Sequence, residues 1–247
     1  MLLRNGRKIL RQGPKRKTYK RNLLLLIFSN ESGHEILPSL RNLLKQIKKE
    51  LTQKEKVRED THENMRKATS LSKQAILLSH QKKLEEAKNQ LEKAKELISK
   101  LAEISKEYPA IIYGGMFSAA LQEYSEACIF INLIEKNAFV TPQDVNVPPT
   151  EYVLGLADVV GEYRRLALDA LREGDVAKGE KCLQTMDEIY VELEALDEAY
   201  MFVPGLRRKN DVARKIIEIT RGDITQEVRR KVLEDYLRRF EEKHEEK

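Results

Sequence analysis

Two pairs of acidic residues stand where helical apolar faces should be. Placed at 100° per residue, the segment 112–134 lines up Ile112, Met116, Ala119, Ala120, Ala127, Phe130, Leu133 and Ile134 within an arc of about 140°. Glu123 and Glu126 fall inside that arc, three residues and so one turn apart. Asp158 interrupts the otherwise almost wholly apolar run 152–160, and Glu162 follows at the i+4 spacing. Gly155 lies on the same side one turn before Asp158, leaving room for a neighbouring helix to come close. An ionised carboxylate buried without a cation costs several kcal/mol. If the two helices are neighbours, the four carboxylates converge and call for positive charge. An all-oxygen donor set suits a hard cation, Mg²⁺ or Mn²⁺, and the lack of His or Cys among the four disfavours zinc. Such a centre would polarise a phosphodiester and lower the pKa of a bound water for attack on phosphorus.

Other chemistries compete for the same residues. Arg165 and Asp169 continue the line of Asp158 and Glu162, which would make that face a solvated one, with Arg164 and Arg165 as ion-pair partners. A di-iron helical bundle also buries carboxylates but needs Glu-x-x-His motifs. The four histidines, His34, His62, His80 and His244, lie elsewhere in the sequence. Cys128 and Cys182 make neither a disulfide framework nor a zinc site, which agrees with a reducing compartment, and Cys128 reads as core.

The elements that must position these acids are helices. Charged residues are 34% of the 247, with only 11 Gly, 7 Pro and no Trp, and no convincing strand-like alternation occurs. One helix of about 45 residues, or two abutting ones, is expected from Pro38 to about Lys82, with Leu37, Leu40, Leu43, Leu44, Ile47 and Leu51 as a buried stripe. Further helices are expected over 84–107, from Pro109 to about Asn137, from Thr150 to Arg172, from Asp175 to about Phe202, over 206–221, and from Gly222–Asp223 to the end. The loop 140–149 carries three prolines. Short connections elsewhere predict an all-α, single-domain antiparallel bundle of about seven helices over 35–247, preceded by a basic, disordered extension, 1–34. No repeat at a fixed period is present.

The formal charge of +5 belongs to that extension. Residues 1–21 hold nine Lys/Arg and no acid, leaving 36 bases against 40 acids in the remainder. A basic arm attracts nucleic acid without sequence preference, as any basic peptide does. The longest apolar run, Leu23–Phe28, has six residues, far below the ~20 of a membrane span or the ~7–15 of a signal core. A cytoplasmic protein without membrane contact is expected.

The acidic segments resemble a known family. Leu121-Gln122-Glu123-Tyr124-Ser125-Glu126-Ala127, followed by Tyr152-Val153-Leu154-Gly155-Leu156-Ala157-Asp158-Val159-Val160-Gly161-Glu162, is similar to the translin/TRAX family, on the side of translin-associated factor X. Arg172-Glu173-Gly174-Asp175 and, upstream, Ser72 to His80 extend the likeness, which runs from about Glu35 to about Gly222. The resemblance implies an all-α fold, a closed octameric shell, and metal-dependent endoribonuclease activity on RNA held inside it. It further implies that Glu123, Glu126, Asp158 and Glu162 form the catalytic Mg²⁺ (or Mn²⁺) site, since the catalytic member keeps these acids and translin itself lacks them.

The chain departs from the eukaryotic relatives in ways that bear on RNA. No charge occurs between Tyr108 and Gln122, where those relatives carry a basic, histidine-containing segment, and the 140–149 loop is shorter. The Lys/Glu-rich, abbreviated form implies a prokaryotic or archaeal homologue whose shell uses one subunit type. Arg66, Lys73, Arg164 and Arg165 are the expected contacts to RNA, single-stranded or short duplex, or to single-stranded DNA. The alternatives are a non-catalytic nucleic-acid-binding scaffold whose carboxylates are structural, and a plain helical adaptor.

Overall fold

In the computed structural model, which describes residues 39–196, 198 and 200–245, eight α-helices and no strand occur among those residues. They are α1 (Leu40–His80), α2 (Leu84–Glu107), α3 (Pro109–Ile112), α4 (Gly115–Lys136), α5 (Pro142–Val145), α6 (Pro149–Arg172), α7 (Val176–Glu194) and α8 (Leu206–Glu245). The all-α expectation holds, and α1 is one unbroken helix of 41 residues because neither Pro nor Gly interrupts it. None of these helices is long and apolar enough to cross a membrane.

By its contacts the chain falls into two units, residues 1–52 and 53–247. Of the first, residues 39–52 are described. Leu40, Leu43, Leu44, Ile47 and Leu51, expected as a buried stripe, are exposed there because no described residue packs over them. The basic extension 1–34 lies outside the described residues.

The second unit is built around α4. One core joins α4 to α6, α7 and α8 through Phe130, Val159, Val160, Met186, Ile189 and Leu206. Another joins the first half of α4 to α1 and α2 through Met65, Ala68, Ile98, Leu101, Phe117 and Tyr124. Serving both cores, α4 is buried on most of its circumference. The single buried face expected for it is therefore corrected: Leu121, Tyr124, Ile129 and Ile131 are inside, whereas Met116, Ala119 and Ile134 are exposed.

Several boundaries also differ from the expected ones. The segment opening at Pro109 breaks at Tyr113–Gly114, where two adjacent glycines weaken the helix. Helix α6 starts at Pro149, with Pro preset for a first turn, and not at a Thr150 cap. Helix α7 stops at Glu194, well short of Phe202. Helix α8 runs straight through Gly222, held by Ile217, Thr220 and Ile224, which are buried around it. The α6–α7 connection matches its reading: Gly174 adopts φ +79, and the Asp175 carboxylate accepts the Lys178 N–H at 2.9 Å. So short a turn makes α6 and α7 antiparallel neighbours.

Among the described glycines, Gly155 marks the tightest approach, α6 against α4. A Cβ there would lie 2.7 Å from the Gln122 carbonyl oxygen and 2.9 Å from the Glu126 nitrogen. Both are backbone atoms, so relief requires moving a helix. Gly155→Ala should therefore lose about 1–3 kcal/mol in denaturant unfolding, overpacking outweighing the gain in helix propensity. Gly222→Ala, with nothing within 4 Å of its Cβ, should instead gain up to about 1 kcal/mol.

Candidate metal centre

The glycine contact aligns the two acidic motifs. Helix α4 contributes Gln122, Glu123 and Glu126, α6 contributes Asp158, Glu162 and Arg165, α1 contributes Lys73, Ile76 and Leu77, and α8 contributes Lys209. Together they line one pocket of about 600 Å³. The four acids singled out in the sequence are thus brought to one place.

Three of them carry a base. Lys73 Nζ, on an exposed side chain, lies 3.2 Å from the half-buried Glu123, a contact that contributes little. Lys209 Nζ donates to both oxygens of Asp158, at 2.5 and 2.6 Å, and Gln122 Nε2 adds a bond of 2.6 Å to Oδ2. His80, whose side chain is 2% exposed, is hydrogen-bonded through Nε2 to Glu162 Oε2 at 2.6 Å. The imidazole rests on Phe130, with ring centroids 5.0 Å apart, so its orientation and that of Glu162 are fixed by the core.

Glu126 is the exception. It is 8% exposed, and among the described residues it makes no ion pair. Burial, then repulsion from Asp158, Glu123 and Glu162, pushes its carboxyl up to about 9, with Lys209 pulling the other way. At neutral pH it is therefore held as the neutral acid.

The donor set fits a hard divalent cation: oxygens from two helices, and one buried carboxyl that lacks the positive charge it needs to ionise. As the side chains stand, no group of three or more His, Cys, Asp or Glu among the described residues is arranged to hold a metal. The lysines on Glu123 and Asp158 occupy the carboxylates instead.

The expected nucleic-acid contacts separate into two groups. Lys73 and the exposed Arg165 line the pocket. Arg66 is exposed on α1 two turns before Lys73 and does not line it. Arg164 donates to Thr220 Oγ1 at 2.7 Å and pairs with Asp223 at 3.5 Å, tying α6 to α8. Sequence reasoning missed His80 and Lys209. His80, remote from the acids in sequence as read, is brought to them by the fold, because α1 ends where its last residue meets Glu162. A lone His or Lys carries no spacing signal, although His80 closes the Ser72 to His80 motif.

A profile of the Translin family matches residues 39–219. The chain belongs to the translin family. An uncharacterized protein from Methanocaldococcus jannaschii is 34% identical over 128 residues, which is 51% of this chain and 57% of that protein, so the match spans little more than half of this curated relative. The crystal structure of AfC3PO is similar with a TM-score of 0.69 at 37% identity, over 76% of this chain and 98% of the other. A structure of AfC3PO in complex with duplex RNA gives 0.68 at 36% identity, with the same coverage. Apo-NeC3PO, 24% identical, shares the fold with a TM-score of 0.69 over 78% of this chain and 100% of that one. Translin-family architecture thus supplies the frame for the acidic pocket.

The position of Glu126 sets a pH dependence in metal-free protein. Below about pH 4.5 folded and unfolded chains both keep its proton; above it the unfolded chain releases the proton while the folded chain retains it to about 9. The unfolded state then binds fewer protons, so this group lowers stability as pH rises through that window. In EDTA, the stability of Glu126→Gln relative to wild type should rise between pH 5 and 9 in thermal melts. Parallel curves would show that Glu126 ionises as freely in the fold as in the unfolded chain.

Proposed function

We propose that this translin-family chain is a metal-dependent endoribonuclease that cleaves RNA phosphodiester bonds inside an oligomeric, octameric shell. The observation that carries the reading is Glu126, a buried carboxyl without a base, surrounded by three further acids from two helices. Likeness to AfC3PO, which has been solved with duplex RNA, supports RNA as the ligand. Glu123, Glu126, Asp158 and Glu162 would hold Mg²⁺ or Mn²⁺. When bound, the ion would supply Lewis-acid activation of water and of the scissile phosphate.

The chain's own residues do the rest. His80 orients Glu162 through a hydrogen bond within the core. Glu126 keeps its proton among the other acids, and would ionise to serve as a ligand only where a cation offset the added negative charge. Lys73 and Arg165, at the pocket wall, position the phosphate.

A second reading, a non-catalytic RNA-binding scaffold, is favoured by the ion pairs on Glu123 and Asp158 and by the His80 hydrogen bond on Glu162. Stability separates the two: Glu123→Ala lowers it if the pairs are structural, and leaves the metal-free protein unchanged or more stable if the acids mainly repel one another.

Labelled single-stranded and short duplex RNA incubated with protein and Mg²⁺ should be cleaved. EDTA should abolish cleavage. Glu123→Ala and Glu126→Gln should reduce it on the order of 100-fold or more while RNA still binds, and light scattering should report eight chains per particle. Cleavage insensitive to EDTA or to Glu123→Ala would overturn the assignment; RNA binding without cleavage in Mg²⁺ or Mn²⁺ would select the scaffold.

A further inference from the structure

Lys209 holds the carboxylate that a metal would need. Its ammonium donates to both oxygens of Asp158, and Gln122 adds a second bond to Oδ2, so both carboxylate oxygens are engaged. Both members of the pair are half-buried, 25% and 30% exposed; on Glu123 only the carboxylate is, Lys73 being 61% exposed. Lys209 also lowers the electrostatic load on Glu126. It is therefore the half-buried cation of the acidic pocket, on a site where a divalent ion would sit among the same oxygens.

The surroundings give the lysine somewhere to go. Asp158 and Lys209 line a second cavity of about 440 Å³ between α6 and α8, together with Gly205, Arg208, Val212 and Ile216. The flexible four-carbon stem can lie along that apolar wall while its ammonium leaves the carboxylate. The backbone of Lys209 is meanwhile held at the start of α8, its N–H bonded to the Gly205 carbonyl at 3.1 Å, so only the side chain has to move.

We propose that Lys209 is an internal counter-ion exchanged for the metal: it neutralises Asp158 while the centre is empty and withdraws toward the α6–α8 cavity when a divalent cation binds. The exchange explains why four acids share a pocket without three of them converging as placed. It also sets the metal affinity, because every ion must displace an ammonium from two short hydrogen bonds. The inference rests on the metal-centre reading.

Mn²⁺ titration of the RNA-free protein, followed by calorimetry and by electron paramagnetic resonance of the free ion, tests it. Lys209→Met should bind Mn²⁺ at least about tenfold more tightly than wild type, since a competing and repelling charge is gone, and in EDTA it should melt at a lower temperature. Lys73→Met should change the affinity by less than about twofold, as Lys73 is itself 61% exposed and makes one longer contact, 3.2 Å, to Glu123. Glu126→Gln identifies the site by weakening binding. Should Lys209→Met fail to fold, Lys209→Arg carries the test: arginine keeps the pair and should bind Mn²⁺ no more tightly than wild type. Unchanged or weaker binding by Lys209→Met, equal tightening by Lys73→Met, or tighter binding by Lys209→Arg overturns the exchange while leaving the metal centre standing. Absence of binding in both wild type and Lys209→Met overturns the metal-centre reading and the exchange together.

Discussion

A carboxyl group removed from water keeps its proton unless a cation replaces the lost hydration, and Glu126 occupies that situation in the middle of α4. Its burial is enforced by the packing. Helix α4 is shared between two cores, so a residue at this point of its circumference reaches solvent only through the acidic pocket, and Gly155 brings α6 against the same turn. The approach that buries Glu126 also delivers Asp158 and Glu162 to it. Close packing and charge concentration are consequences of one contact.

The surrounding residues can be understood as responses to that concentration. Each of the other three acids has gained a base from a helix other than its own: Lys73 and His80 from α1, Lys209 from α8. The helices that close the pocket therefore also partner its acids, two by lysines and one by a histidine hydrogen bond, and the metal-free fold is tolerable without being electrostatically complete. What distinguishes this pocket from an ordinary buried ion-pair network is the acid left over. A purely structural network would gain by replacing an unpaired buried carboxyl with an apolar residue of similar volume. The net charge of the chain was no guide to this: the excess of bases is carried by residues 1–21, outside the described structure.

The helical class and the acidic motifs were legible because they depend on local periodicity and on rules that act within one element. A carboxylate on an apolar stripe is visible at 3.6 residues per turn, and a glycine one turn from it signals close approach. The limits of the same signals are physical too. Periodicity assumes one buried face, which fails for α4, packed on most sides, and for residues 40–51, whose stripe no described residue covers. Glycine weakens helices by a small amount that tertiary contacts readily override, as at Gly222. Lys209 sits in the run Arg207-Arg208-Lys209, where nothing local distinguishes the lysine that faces Asp158. His80 and Glu162 are 82 residues apart and meet only through the fold. Arg164 and Arg165 are adjacent, yet the 100° between them sends one to α8 and the other to the pocket.

The central claim is that acids from α4 and α6 act as one donor set. Diffraction from crystals soaked in Mn²⁺, with data collected at the manganese absorption edge, addresses it directly. The account predicts an anomalous peak in the pocket within coordination distance, about 2.1 Å, of carboxylate oxygens from both helices, Glu126 among them. A pocket without such a peak, or an ion bound only at surface carboxylates while Glu126 stays apart, would contradict it.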